Sequence, residues 1–210
     1  MTKNLESAKV AAIKMMGEDD RFDHISIALH WLTVLLVVIL FSTAWLRETV
    51  DHNSDLAMTL LVTHRNSGML VWIVGVFRLV WRHNFADLPP FPASMPKFQQ
   101  IVAKANEYGL YLLLLVQPIT GLGRVLLRGR PFDLFLWQVP ALFAENDSIR
   151  HQLAEAHEIG ASVLLALIGL HAGAALFHRL VLRDGVLQRM LPRIPERTKL
   201  TPTLAKSEAE

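Results

Sequence analysis

Residues Ser26–Leu46 read SIALHWLTVLLVVILFSTAWL, with no Lys, Arg, Asp or Glu. A helix needs about 20 apolar residues to cross the hydrocarbon core of a bilayer, whereas about 10–14 suit a helix buried in a water-soluble core. This run has the longer length and predicts a membrane span. Three more runs extend the reading. Leu56–Val80 is apolar but carries His64, Arg65 and Arg78. Glu107–Leu127 holds YGLYLLLLVQPITGLG, with Arg124 near its end. His157–Leu182 holds IGASVLLALIGLHAGAALFH. Four such runs in 210 residues leave too little polar chain to cover them in water. The expected fold is all-α: a transmembrane four-helix bundle with spans at about 26–46, 56–80, 107–127 and 157–182.

Composition narrows the chemistry. The chain is 52% hydrophobic and 19% charged, with a mean hydropathy of +0.32, which excludes a disordered polymer. It has nine histidines and no cysteine. Disulfides, thiolate-held zinc, iron–sulfur clusters, thioether-attached haem and thiol nucleophiles are therefore excluded. Any metal or redox chemistry rests on histidine, carboxylate or a bound cofactor. A net charge of +2 gives no reason to expect nucleic acid as a partner.

The placement of charge predicts orientation. Fourteen basic residues fall on one side: Lys3, Lys9, Lys14, Arg21, Arg82, Lys97, Lys104, Arg179, Arg183, Arg189, Arg193, Arg197, Lys199 and Lys206. The other side has four: Arg47, Arg128, Arg130 and Arg150. The positive-inside rule then puts both termini in the cytoplasm. Residues 1–24 lack a continuous apolar core and are broken by Glu18, Asp19 and Asp20, so they are expected to be a cytoplasmic extension with a short surface helix, not a signal peptide. Residues 25–183 form the membrane domain, and 184–210 form a cytoplasmic tail that ends in the polar TPTLAKSEAE. Leu88–Pro96 (LPPFPASMP) is a stiff loop. Arg128–Ala156 is expected to be a long outer loop whose PFDLFLW aromatics suit a helix or turn at the interface. Pro118 is expected to kink the third helix. Gly68, Gly75, Gly121, Gly123, Gly160, Gly169 and Gly173 suit close approach of helices or of a flat macrocycle.

Ionisable groups at membrane depth need a partner or a task. His157 and His171 are fourteen residues apart, 40° short of four full turns, so they share a helix face ~21 Å apart along the axis. With the orientation above, His30 and His171 lie at the inner level and His64 and His157 at the outer level. Two facing histidines at each of two depths suit two six-coordinate haems, which imidazole can hold without cysteine. A zinc site would gather three or four ligands at one level, and His157–Glu158 does not continue as HExxH. Spacing alone leaves a histidine proton relay and plain interhelical hydrogen bonding open beside haem.

The runs ISIALHW, HRNSGMLVWIVGVFRLVWR, QPITGLG with LRGRP, and HEIGASVLLALIGLHAGAALFHRLVLRDGVLQRMLP resemble the bacterial cytochrome b561 family. The likeness covers roughly residues 22–193 and is closest to the family's small four-helix members, which include superoxide oxidases. It implies a multi-pass protein of the bacterial inner membrane with two haem b groups. It also implies that His30, His64, His157 and His171 are the axial ligands. Arg78 and Arg82 match a basic motif and would pair with haem propionates; headgroup contact is an equal reading for Arg82. His178 matches a family histidine and is a candidate to hydrogen-bond a quinone, against an interfacial role facing headgroups. Arg124, Arg128 and Arg130, with Arg65 nearby, would steer superoxide at the outer face; they could equally bind outer-haem propionates or lipid phosphates. Arg128 matches the family pattern, and Arg124 departs from an apolar position.

Three functions follow as expectations. The first is an oxidoreductase passing electrons from periplasmic superoxide to ubiquinone. The second is an electron-carrier subunit between a partner dehydrogenase and the quinone pool. The third is a haem-free transporter or structural membrane protein.

Overall fold

In the computed structural model, residues 21–92 and 95–192 are described. The surface helix expected within residues 1–24 falls largely outside them, and so does the tail after Pro192. Four long helices dominate: α1 (His24–Glu48), α2 (Asp55–Asn84), α3 (Lys97–Leu126) and α4 (Asp147–Phe177). Each is long and apolar enough to cross a membrane.

Helix starts follow capping chemistry. The Asp23 carboxylate accepts from the Ser26 N–H at 2.9 Å and the Ser26 hydroxyl at 2.6 Å, which satisfies an otherwise orphaned donor of α1. Ser54 caps α2 by accepting from Ala57 N at 3.2 Å, and Asn146 caps α4 by accepting from Ile149 N at 3.1 Å. Pro96 precedes α3, which runs unbroken through Pro118. α3 begins ten residues before the expected span, and so does α4. Hydropathy marks where a helix meets lipid, not where its hydrogen bonding stops. The polar leaders KFQQIVAKAN and DSIRHQLAEA are rich in helix formers and continue the coil into water.

The connection between α3 and α4 adds a short ribbon to the helical bundle. Residues 147–156 are helical, which shortens the loop, and the loop holds a two-stranded antiparallel ribbon. Its strands are β1 (Phe132–Leu134) and β2 (Trp137–Val139), in the register Phe132↔Val139 and Leu134↔Trp137. Phe135 turns the ribbon at φ +53°, where hairpins usually place Gly or Asn. The turn is held from outside itself. Phe135 N donates to Asn66 Oδ1 at 2.8 Å, and Arg65 donates to the Asp133 carbonyl at 2.7 Å with its guanidinium over the Phe132 ring.

α1 packs on α2, α3 on α4, and α2 on α3. Leu36, Val71, Leu114 and Leu164, one from each helix, form the buried core. Val71 lies seven residues after His64, and Leu164 lies midway between His157 and His171. The core is thus an apolar layer between two histidine levels. Large apolar residues such as Leu35, Val38, Trp45, Leu112 and Ile119 face outward, as a lipid solvent requires. Five of the seven expected close-approach glycines meet a neighbouring side chain within 4 Å of a built Cβ: Gly68, Gly75, Gly121, Gly123 and Gly160. Gly169 and Gly173 meet nothing within 4 Å. They lie well round α4 from the face of His157 and Leu164, so packing inside this chain does not explain them.

One end of the bundle is tied by the segment that enters α1 and the segment that follows α4. Arg21 donates to Leu191 O at 2.6 Å, Trp31 to Met190 O at 2.8 Å, and Trp81 to Asp23 at 3.1 Å. The stretch around Leu187–Met190 thereby folds back beneath the start of α1.

Candidate functional site

The structure brings the four histidines together in the pairs that depth predicts. The His30 and His171 rings are 6.1 Å apart between centroids, and those of His64 and His157 are 6.3 Å apart. Two metal–imidazole bonds of ~2.0 Å and two ring radii of ~1.1 Å would separate centroids by ~6.2 Å. Either pair therefore has room for one metal ion between its rings. Among the described residues, no three His, Cys, Asp or Glu side chains converge to hold a bare ion. Two imidazoles at each level would hold a metal that a macrocycle already carries, and that group would supply one-electron chemistry.

The His64–His157 level is the better defined. His64 Nδ1 lies 3.0 Å from Leu40 O and 3.3 Å from Thr43 Oγ1. His157 Nδ1 lies 3.1 Å from both Gln117 O and Thr120 Oγ1. A carbonyl only accepts, so both Nδ1 atoms carry the proton and both Nε2 atoms keep a free lone pair for a metal. Gln117 Nε2 donates to His157 O at 2.8 Å, a second tie between α3 and α4. A Cβ at Gly121 would stand 3.1 Å from His157 Cε1, so glycine is what lets the ring approach α3.

These rings line a cavity of about 490 Å³ with Gly68, Leu114 and Leu164. Its lining gathers five arginines, Arg47, Arg65, Arg124, Arg128 and Arg150, against two carboxylates, Glu48 and Glu158. Arg150 is paired with Asp147, and Arg65 is engaged by β1. Among the described residues, no carboxylate lies within ion-pair distance of Arg47, Arg124 or Arg128. The apolar walls suit a macrocycle, and the unpaired guanidinium groups suit its two carboxylates. Arg130 is exposed and does not line the cavity, so the expected arginine trio is divided. Arg47 was counted in the sequence only as a loop charge; its place at the end of α1 was the available signal.

The His30–His171 level differs. Arg78 Nη2 lies 3.3 Å from His30 Nδ1, and its guanidinium sits 5.2 Å from the centre of the Tyr111 ring. A guanidinium only donates, so this contact needs an unprotonated Nδ1. Nε2 ligation by His30 requires Arg78 to leave the ring, and a propionate is the kind of group that would draw it away. Arg82 is occupied by Glu107 on α3 at 2.8 Å, so the expected partnership with a propionate competes with an ion pair. Glu107 and Tyr111 went unread as site residues because nothing on α3 alone shows which helix they face.

His178 is buried at the π-helical turn His178–Leu182 that ends α4, and its Nδ1 contacts Asp184 Oδ2 at 2.5 Å. Enclosure pushes the Asp184 carboxyl up, but the bonds from His178 and Val186 N–H outweigh it and hold it below its ordinary value. Asp184, missed in the sequence, comes into reach because Arg183 turns the chain at φ +53° and Gly185 at φ +80°.

Comparison with known proteins now decides the family. Residues 21–193 match the family model for prokaryotic cytochrome b561. The chain belongs to the prokaryotic cytochrome b561 family. It is 32% identical over 174 residues to cytochrome b561 homolog 1 of Escherichia coli (strain K12), covering 83% of this chain and 98% of that one. It is 28% identical over 173 residues to a probable superoxide oxidase CybB of Yersinia pestis, covering 82% and 97%. A second Escherichia coli (strain K12) protein, cytochrome b561 homolog 2, is 28% identical over 173 residues, covering 82% and 92%. As a cytochrome b561 family member, the chain is a multi-pass bacterial membrane protein of the haem b, electron-transfer class. That class removes the haem-free transporter from the three expectations.

Proposed function

We propose that this cytochrome carries two b haems in the inner membrane and passes electrons from superoxide at the periplasmic face to ubiquinone. His64 and His157 would hold the outer haem, and His30 and His171 the inner one. Both termini lie in the cytoplasm, in keeping with the basic residues there. The observation that carries the reading is the cavity at His64 and His157: a histidine pair with metal-ready nitrogens beneath Arg47, Arg124 and Arg128, which have no ion-pair partner among the described residues. Such a rim attracts a small anion and raises its encounter rate. The likeness to a probable superoxide oxidase supports that choice of anion. Bound haem would supply one-electron chemistry. The chain's own part is to fix the imidazoles, neutralise carboxylates with Arg78 and the rim arginines, and keep water out with the Leu36–Val71–Leu114–Leu164 layer. His178, whose Nδ1–H is held by Asp184, is the quinone candidate; its free Nε2 would accept from a quinol hydroxyl, and would donate to a quinone carbonyl only as the imidazolium.

The test uses purified protein in detergent. A pyridine haemochrome count should give two b haems per chain. Superoxide should then reduce those haems, and added ubiquinone should reoxidise them. Reduction as slow in wild type as in an Arg47→Ala/Arg124→Ala/Arg128→Ala variant would overturn the steering role. Two haems with no superoxide reactivity would favour the carrier reading, in which a partner dehydrogenase supplies the electrons; the two Escherichia coli relatives, named only as cytochromes, fit it equally.

A further inference from the structure

The two outer-level histidines are held by the same device, built twice. On α1, Leu40 O and Thr43 Oγ1, three residues on, bracket Nδ1 of His64 from α2. On α3, Gln117 O and Thr120 Oγ1, again three residues on, bracket Nδ1 of His157 from α4. In each bracket the hydroxyl proton is already committed. Thr43 donates to Ile39 O at 2.7 Å and Leu40 O at 3.0 Å, and Thr120 donates to Gln117 O at 2.8 Å. Each hydroxyl therefore presents only lone pairs to the imidazole. Each N–H faces two acceptors and no donor, as a three-centre bond. Among the described residues the inner level has no such bracket: Arg78 is the group at His30 Nδ1.

We infer that Thr43 and Thr120 are paired positioning residues that give the Nδ1–H of His64 and His157 a second acceptor, beside the carbonyls that set the tautomer, and lower the reduction potential of the haem held there. This rests on the haem reading above. Hydrogen bonding at Nδ1 makes the ligating nitrogen more basic. A more basic ligand stabilises the oxidised iron over the reduced iron, and second-shell bonding is a recognised lever on haem potential. Valine removes the hydroxyl and keeps the branched shape, while the carbonyls of Leu40 and Gln117 still orient the rings. Fold and haem content should therefore survive the change.

The experiment is a spectroelectrochemical titration of haem-loaded protein: wild type, Thr43→Val, Thr120→Val and the double variant. His64→Ala, expected to lose one haem, assigns the two transitions. Each valine should raise the potential of the haem that His64→Ala removes, by about two- to tenfold in its reduced-to-oxidised ratio at fixed potential, the worth of one hydrogen bond. The other haem should not move. Serine at either position should restore the wild-type value. Thr33→Val is the control: Thr33 is buried on α1 and bonds Leu29 O at 2.7 Å, with no hydrogen bond to an imidazole among the described residues. Unchanged potentials in a double variant with full haem content would overturn the inference, and so would equal shifts of both haems. A wild-type count of zero haems would instead refute the reading it rests on. If the double variant fails to fold, the single variants and their serine counterparts decide.

Discussion

Replacing Gly160 by alanine should loosen the tie between α3 and α4 beside His157. A Cβ at residue 160 would stand 2.7 Å from Gln117 Oε1, 3.0 Å from its Cδ and 3.2 Å from its Nε2. The first distance is too short, so the Gln117 amide must move. It then gives up its 2.8 Å bond to His157 O, and at 8% exposure it finds no water in exchange. An unsatisfied buried amide costs about 1–3 kcal/mol. Alanine returns up to about 1 kcal/mol of helix propensity. The net change is a loss of about 0–2 kcal/mol, but relative to an exposed Gly→Ala change that gains the same propensity the deficit is about 1–3 kcal/mol, or ~2–12 °C in melting temperature at 2–4 °C per kcal/mol for a chain of this size. The assay is thermal unfolding in detergent, followed by far-ultraviolet circular dichroism. Gly173→Ala is the control, since its added methyl meets nothing within 4 Å. Equal melting temperatures for Gly160→Ala and Gly173→Ala would refute the reasoning, because they would mean that the Gln117 contact constrains nothing.

Other perturbations probe separate elements. The Arg82–Glu107 pair is partly exposed, at 24% and 30%, so a double-alanine cycle should give a coupling of only about 0.2–1 kcal/mol; a coupling near zero would show that Arg82 is free for another anion. Asp184 has a carboxyl held below its ordinary value of 3.8, so its stabilisation is present in full above that value and is lost as pH falls through the lower folded-state value. The melting-temperature gap between wild type and Asp184→Asn should thus stay constant near neutrality and close in acid; a gap that widens in acid would contradict the sign. Asn66→Ala removes the acceptor for Phe135 N, so limited proteolysis within residues 132–139 should speed up, and unchanged cleavage would show that the ribbon holds itself.

The spans and the histidine pairing were legible in the sequence because both rest on local quantities. Hydrocarbon thickness fixes how many apolar residues cross, and the rise and twist of a helix place His157 and His171 on one face at two depths. The ribbon was not legible. Its turn lacks Gly or Asn, and the anchoring bonds from Arg65 and Asn66 on α2 span 68 and 69 residues. The glycines were read too evenly, since spacing along α4 does not say that Gly169 and Gly173 point away from α3.

The sequence by itself determined that four helices cross a membrane and which histidines share a level, because the bilayer and the helix repeat act on each segment separately. Only the tertiary structure decided what each ring nitrogen touches. Leu40, Thr43, Gln117 and Thr120 meet His64 and His157 across helix interfaces, and Arg82 meets Glu107 the same way. Those contacts depend on how each helix is rotated toward its neighbour, which the packing of all four against the Leu36–Val71–Leu114–Leu164 core sets together.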